Sequence, residues 1–431
     1  MIQEIKRDFL YYFAGIIVPG IMNFMAIPIF KHLLGDSIYG SFNLLFTSLV
    51  IANTALVGWI TQSIVRLHHA EKNDREFVSS CLYTSAIVSL CAIPIAAIIL
   101  GLAHISLPLI IVYCVTLFAS SQQVTLVAVG QATFNAKLIL FTEAVRTSIY
   151  FGLGFLFLYF FGQSYGVVLL LLALFISYTA SATLLSRKLK LPRYLLKPPA
   201  LHIIKKTGGQ LFRYGFNLML WIFFSYVILF ADRYMISIYF NSKVSGNYAA
   251  LYDLISRSII LLSAPFLTSS FPVMAREFEL GKSKQVAALI RKLVLAEVAG
   301  MLLAIILYYA FGFNILKSLL KLKQVDINFR ETGLLIMIGT FIFQIAMMLH
   351  KKLELLKRTR QMLFCIVFSV VISFSINILL LPKWGPLAAG FAFVVASSVY
   401  ATLIILSKPR LFLKGEFLIE NKANEKQIAV I

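Results

Sequence analysis

Acidic residues are scarce in this chain: 18 Asp and Glu stand against 39 Lys and Arg, and charged residues of both signs fill only 13% of 431 positions. A soluble domain carries roughly 25%, so a fully water-facing surface is excluded. Cysteine is scarce too. Cys81, Cys91, Cys114 and Cys365 are the whole set; all fall in apolar segments, without the spacing of a metal site, and read as packing residues. There is no P-loop, no H-E-x-x-H and no nucleophile elbow. Nothing therefore marks an ATPase, and energy must come from an ion gradient or from outside the chain. The histidines (His32, His68, His69, His104, His202 and His350) find no second ligand at metal spacing, and no cofactor or metal is expected.

What is abundant is hydrocarbon: 60% of the residues are hydrophobic. They gather into twelve runs: Phe9–Phe30, Tyr39–Val65, Phe77–Leu102, Ile105–Val129, Leu138–Phe161, Tyr165–Leu185, Tyr214–Phe240, Tyr248–Met274, Leu293–Phe313, Gly333–Leu349, Met362–Leu381 and Gly385–Leu406. Most are near the ~20 residues that cross ~30 Å of hydrocarbon as a helix. No A-x-A cleavage pattern follows the first run, so it reads as an uncleaved helix. The fold class predicted is an all-α polytopic membrane protein with twelve transmembrane helices.

The positive charge alternates with the runs. The gaps after the odd-numbered spans hold only Lys31, Lys243, Lys317, Lys321, Lys323, Arg330 and Lys383, and Arg146, Arg233 and Arg257 lie inside spans. All other Lys and Arg fall at the termini and in the gaps after the even-numbered spans. This is positive-inside topology, with both termini cytoplasmic. The net charge of +21 thus needs no nucleic-acid partner; anionic membrane lipid suffices.

The largest gap, Ser186–Arg213, is rich in Lys, Arg and Pro. It divides the chain into an N-terminal six-helix bundle (1–190), a basic cytoplasmic linker (191–213), a C-terminal six-helix bundle (214–407) and a cytoplasmic tail (408–431). Tyr165-Gly166 and Trp384-Gly385 open spans 6 and 12 alike, and Tyr39-Gly40 and Gly246-Asn247-Tyr248 open spans 2 and 8. Because six is even, such a repeat is parallel, its pseudo-two-fold axis lying along the membrane normal with a path between the bundles.

An ionisable group at mid-bilayer costs roughly 2.5–3.5 kcal/mol on insertion scales, so each asks for a reason. One group is expected in the outer half. Asp232 lies ~12 Å deep in span 7 and Arg257 ~13 Å deep in span 8, on consecutive antiparallel helices, hence level. Asp253 is the i,i+4 partner of Arg257, and Arg233 adds a cation. A second group is expected in the inner half. Glu143 and Arg146 are i,i+3 partners about 8 and 12 Å from the inner end of span 5; Glu297 starts span 9, and Arg66 closes span 2 one turn after Gln62. Asn43, Asn53, Gln62, Gln122 and Gln123 add neutral polar groups. These clusters are either salt bridges that hold helices together or the wall of an aqueous cavity. Arginine in a polar cavity suits a polyhydroxylated anionic headgroup, since it offers paired donors and a permanent charge.

Several segments resemble a known family. Leu34-Gly35-Asp36-Ser37-Ile38-Tyr39-Gly40, Asp232-Arg233, Gly246-Asn247-Tyr248-Ala249-Ala250-Leu251-Tyr252, Pro272-Val273-Met274-Ala275-Arg276 with Gly281, and Leu381-Pro382 through Ala388-Ala389-Gly390 are similar, in that order, to the O-antigen and capsule repeat-unit flippases. These belong to the multidrug/oligosaccharidyl-lipid/polysaccharide exporter superfamily. The resemblance implies a bacterial inner-membrane protein of two six-helix bundles around a central cavity, MATE-like, working by alternating access. It implies a substrate, undecaprenyl-pyrophosphate-linked oligosaccharide, moved from the cytoplasmic to the periplasmic leaflet. A proton or sodium coupling ion, a polysaccharide polymerase and a chain-length regulator are the partners implied.

Related flippases carry cavity arginines on their first helices, whereas span 1 here has none. The substrate-binding role then falls on Arg146 and Arg257, with Arg66, Arg233, Gln62 and Asn53 as further candidates. Glu143, Asp232, Asp253 and Glu297 would couple or pair charge. The competing readings are a cation-coupled multidrug exporter of the same superfamily and a membrane-embedded glycosyltransferase or polymerase. The second would need catalytic groups in a large loop, and the longest outer gap, Asn314–Thr332, offers only Asp326 and Glu331.

Overall fold

A computed structural model describes residues 19–68, 74–133, 136–162, 165–189, 191, 199–321, 328–356 and 358–407. Every regular element among them is helical: α1 (19–34), α2 (Asp36–Leu67), α3 (Asp74–Leu102), α4 (Leu107–Ala132), α5 (Ala136–Phe161), α6 (Gly166–Lys188), α7 (Leu201–Tyr239), α8 (Ser242–Glu279), α9 (Ser283–Leu307), α10 (Phe329–Leu349), α11 (Thr359–Trp384) and α12 (Pro386–Leu406). A π-helical turn, Tyr308–Gly312, carries α9 on to Leu319, and a short turn, Lys351–Leu355, follows α10. Helices are the expected solution in lipid, where each backbone polar group must be satisfied within its own segment. Inside the spans, hydroxyls follow the same rule. Thr84, Ser89, Thr125, Thr340 and Ser369 each donate to the carbonyl one turn back.

Ten of the described helices are long and apolar enough to cross a membrane, against the twelve spans expected. The other two, α1 and α8, are described only in part: α1 from residue 19, and α8 without the side chains of residues 264, 265, 268, 269 and 272. The result is an all-α, multi-pass membrane protein. The tail 408–431 and most of 190–198 lie outside the described residues.

Two helices start earlier than hydropathy indicates. Residues 201–213, assigned to the linker, already belong to α7. Ile204, Thr207 and Leu211 make a buried stripe there while Lys205, Lys206 and Arg213 face out. Likewise α9 begins at Ser283 rather than Leu293, with Val286 and Ile290 packed on Met274. Both extensions are amphipathic, and a hydropathy window tuned to uniformly apolar runs passes over them.

Helix packing repeats along the chain. In the first half α2 packs on α3 and α4, α4 on α3 and α6, and α5 on α6; in the second, α8 packs on α9 and α10, α10 on α9 and α12, and α11 on α12. Gly162 (φ 70°) and Gly385 (φ 61°) occupy corresponding turns, before α6 and α12, where a left-handed backbone favours glycine. The halves meet through α2 against α7 and α8, and α3 against α7.

That seam is tight at the N-terminal ends of α2 and α8. Asp36 of α2 accepts from Lys31 Nζ at 2.7 Å and from Asn247 Nδ2 at 3.4 Å, and Ser37 Oγ lies 3.1 Å from Ser242 Oγ. Gly40 and Gly246 face each other so closely that a Cβ on either would strike the opposite backbone. At the other end of α2 the seam continues against α7, where Ser63 Oγ donates to the Leu211 carbonyl at 2.7 Å and Gly215 rests on Trp59.

Candidate functional site

Beneath the tight seam, α7 and α8 supply a cluster of charges and α2 adds a neutral partner. Asp232 and Arg233 are adjacent on α7, so their side chains leave the helix about 100° apart and find different partners. Asp232 accepts from the Tyr248 hydroxyl and, at 2.8 Å, from the Arg233 backbone N–H. Arg233 turns to Asp253 of α8, Nη2 to Oδ1 at 2.5 Å, and donates through Nη1 to Asn43 Oδ1 of α2 at 2.7 Å. Phe230 and Tyr252 cover its guanidinium at 4.7 and 5.1 Å. Its side chain is 1% exposed. Arg257 also leans on Asp253, but loosely, at 3.4 Å, and its side chain is 35% exposed. One buried carboxylate thus serves two guanidiniums, and only the second has a free face.

A second cluster lies on α5. Arg146 grips Glu143 with a fork, Nη2 at 2.8 Å and Nε at 2.9 Å to Oε2. Gln123 of α4 donates to the other carboxylate oxygen at 2.6 Å and reaches Ser181 of α6 at 3.4 Å. The guanidinium sits 5.3 Å from the centre of the Tyr178 ring. Arg146 and Glu143 remain partly open, at 18% and 27%.

Tyrosines connect the two clusters. Tyr150, one turn beyond Arg146, lies within electrostatic range of both Arg146 and Arg257, and of Tyr39 and Tyr178 as well. Phe30 of α1 closes on it edge to face at 5.5 Å. Arg146 and Arg257, which belong to different halves, are thus both within electrostatic range of Tyr150, which is itself buried in the core.

The remaining sequence candidates lie apart from this region or play smaller parts in it. Asn53 accepts from Ser121 at 3.0 Å, tying α2 to α4. Gln62 is half-buried and Arg66 exposed, at the far end of α2. Arg66 lies within electrostatic range of Tyr214. Glu297 is buried beside Ser263 in an apolar groove of the second half. Sequence reasoning missed Tyr39, Tyr150 and Tyr178. The chain has 19 tyrosines; Tyr39 stands out only in the segment that opens span 2, and nothing in the sequence separates Tyr150 and Tyr178 from the rest.

Residues 5–278 match the family described as "Polysaccharide biosynthesis protein". The chain belongs to that family. Solved structures add the fold. An inward-facing multidrug resistance MATE family transporter of the MOP superfamily aligns at TM-score 0.73 and 12% identity, over 93% of this chain and 96% of that one. A MOP superfamily transporter from Pyrococcus furiosus, described as having a binding pocket of reverse polarity that suggests a different function, aligns at 0.69 and 13%, over 95% and 96%. The Vibrio cholerae MATE transporter VcmN, in its bent form, aligns at 0.66 and 12%, over 96% and 98%. No curated protein sequence matches this one. The polysaccharide biosynthesis family member thus has the fold of MATE transporters.

Proposed function

We propose that this family member flips an undecaprenyl-pyrophosphate-linked oligosaccharide, an O-antigen or capsule repeat unit, from the cytoplasmic to the periplasmic leaflet of the bacterial inner membrane. One observation carries the reading: Arg146 and Arg257 both keep free faces and Arg257 is only loosely paired, while the carboxylates near them, the part-open Glu143 included, are already matched. Asp253 is held by Arg233, and Asp232 by Tyr248 and a backbone N–H. A region of that polarity suits an anion. Each charge-assisted bond from arginine to phosphate contributes roughly 1.5–3 kcal/mol.

In this reading both termini are cytoplasmic, and twelve spans form two six-helix bundles, 1–190 and 214–407, related by a pseudo-two-fold along the membrane normal. The repeated helix pairings support that symmetry. The tight α2–α8 seam is then the periplasmic gate, closed, and the headgroup enters from the cytoplasm. Arg146 meets the pyrophosphate first and Arg257 draws it deeper, past Tyr150 and Tyr178, whose rings suit sugar faces. Arg233 is structural, and Arg66 guards the cytoplasmic entrance. A proton or sodium ion supplies the drive, and polymerase and chain-length regulator take the product.

The competing reading is a cation-coupled multidrug exporter, favoured by the multidrug transporters of like fold. The Pyrococcus relative's reversed pocket is a reason to let pocket charge, rather than fold, choose the cargo. The test is Arg146→Ala and Arg257→Ala in a deletion strain at matched protein levels, with surface polysaccharide and leaflet labelling of lipid-linked sugar as readouts. Each substitution is expected to lower surface polymer and trap repeat units in the cytoplasmic leaflet. Intact polymer in both, with altered drug tolerance of the deletion strain, selects the exporter.

A further inference from the structure

The second half contains a cavity that the headgroup route does not use. It has a volume of about 580 Å³ and lies between α8, α9 and α10, with Phe24 of α1 at its edge. Its lining runs along α9 from Leu293 through the π-turn to Leu319. At the helical rise that is roughly 39 Å, more than the ~30 Å hydrocarbon thickness. The helix α9 stands off the body: 11% of its apolar window is buried, against 61% for α10. Leu303, Phe311 and Ile315 form an exposed apolar rim, so the cavity is a groove open to the side, with an α9 wall that outruns the shorter facing walls on α8 (Leu254 to Phe266) and α10 (Met337 to Met348).

The groove adjoins the arginine region. Along α8, Asp253 and Arg257 belong to the charge cluster, whereas Leu254, Ile255 and Ser258, in the same turn, line the groove. An anionic head held by Arg257 therefore has its hydrocarbon tail one helix-width from this channel. Among the described residues the groove has a single charged lining residue, Glu297, 7% exposed and hydrogen-bonded by Ser263. The Glu297 carboxyl is taken up by Ser263, and the rest of the lining is predominantly apolar, which suits hydrocarbon.

We infer that this groove is a track for the polyprenyl chain of the substrate, holding part of the tail while the head crosses between the halves. The inference rests on the flippase reading and adds to it a built tail site on α8, α9 and α10. Gly300 gives the means to block it, because a Cβ there meets only the Phe341 ring, at 3.7 Å.

The experiment uses the full-length protein in phosphatidylethanolamine nanodiscs with undecaprenyl phosphate that carries a diazirine on its terminal isoprene. After photolysis, the labelled peptides are mapped by mass spectrometry. Label is expected on α8 and α9, to fall about tenfold, a change of about 1.4 kcal/mol in occupancy, with Gly300→Trp, and to persist in Gly300→Ala and under excess phosphatidylglycerol. Label spread over the lipid-facing helices, or displaced by phosphatidylglycerol, overturns the groove as a substrate track. Farnesyl pyrophosphate, too short to fill the groove, reads the arginine region separately. If Arg146→Ala and Arg257→Ala bind it as well as the unaltered protein, the flippase reading fails whatever the groove shows.

Discussion

The Arg233 guanidinium and the Asp253 carboxylate meet at 2.5 Å, on α7 and α8, with side chains 1% and 5% exposed. Asn43 of α2 completes the contact, so this one buried pair joins the two halves of the chain. Removing one partner of a buried pair strands the other and costs about 3–5 kcal/mol. Arg233→Ala is expected to lose that much in unfolding experiments in detergent and to reduce the amount of protein in the membrane. Arg257→Ala, which removes a loose and half-open contact, is expected to lose about 1 kcal/mol or less. Equal losses in the two variants would rule out the structural role given to Arg233.

Much of this site was legible in the sequence, and the rest was hidden for a physical reason. Hydropathy marks the spans, and helical periodicity pairs Asp253 with Arg257 and Glu143 with Arg146, because i,i+3 and i,i+4 neighbours share a face whatever surrounds the helix. Depth along the chain puts Asp232 and Arg257 at one level. What depth does not contain is rotation and neighbours. Arg233 read as a spare cation because its partners, Asn43 and the rings of Phe230 and Tyr252, come from three helices. Glu297 read as part of the inner charge group, yet α9 turns it into a separate apolar groove. The tyrosines linking Arg146 to Arg257 were invisible for the same reason: only packing brings them together.

Ser37 and Ser242, with hydroxyl oxygens 3.1 Å apart, offer a way to trap the closed seam. The Ser37→Cys/Ser242→Cys double variant is expected to form a disulfide under mild oxidant, since the side-chain tips are already in contact and bridging demands such proximity. Cross-linking, read as a mobility shift on non-reducing gels, is expected to stop repeat-unit transfer, and reductant to restore it. Full transport by the cross-linked protein would mean that this seam does not open during the cycle.

Gly40 and Gly246 set how closely α2 and α8 approach. A Cβ on Gly40 runs into the Ser242 carbonyl and one on Gly246 into the Asp36 carbonyl. Both obstacles are backbone, which no rotamer change relieves. Gly246→Val is therefore expected to push the helix ends apart and cut the yield of the Ser37–Ser242 cross-link at least about tenfold, a bias of about 1.4 kcal/mol. The same measurement on Gly152→Val, where a Cβ would meet nothing within 4 Å, is the control and is expected to leave the yield unchanged. An undiminished cross-link in Gly246→Val would show that α2 and α8 can part and rejoin at this level without the glycine pair.

Glu143 restrains Arg146. The carboxylate takes both Nη2 and Nε of the guanidinium, at 2.8 and 2.9 Å, and is itself steadied by Gln123 at 2.6 Å. In the proposed flippase cycle, a phosphate arriving at Arg146 competes with that fork, so the pair would set a ceiling on affinity and let the headgroup leave. Glu143→Gln keeps an oxygen for Gln123 and removes the competing charge. It is expected to bind farnesyl pyrophosphate several-fold to about tenfold more tightly, a gain of up to about 1.4 kcal/mol, while transferring repeat units more slowly because release from Arg146 becomes the slow step. Titration of the purified variant beside a leaflet-labelling time course checks both halves of the expectation. Weaker binding in Glu143→Gln would mean that the carboxylate serves to hold Arg146 in position for the anion, and the slow-release account would then be withdrawn.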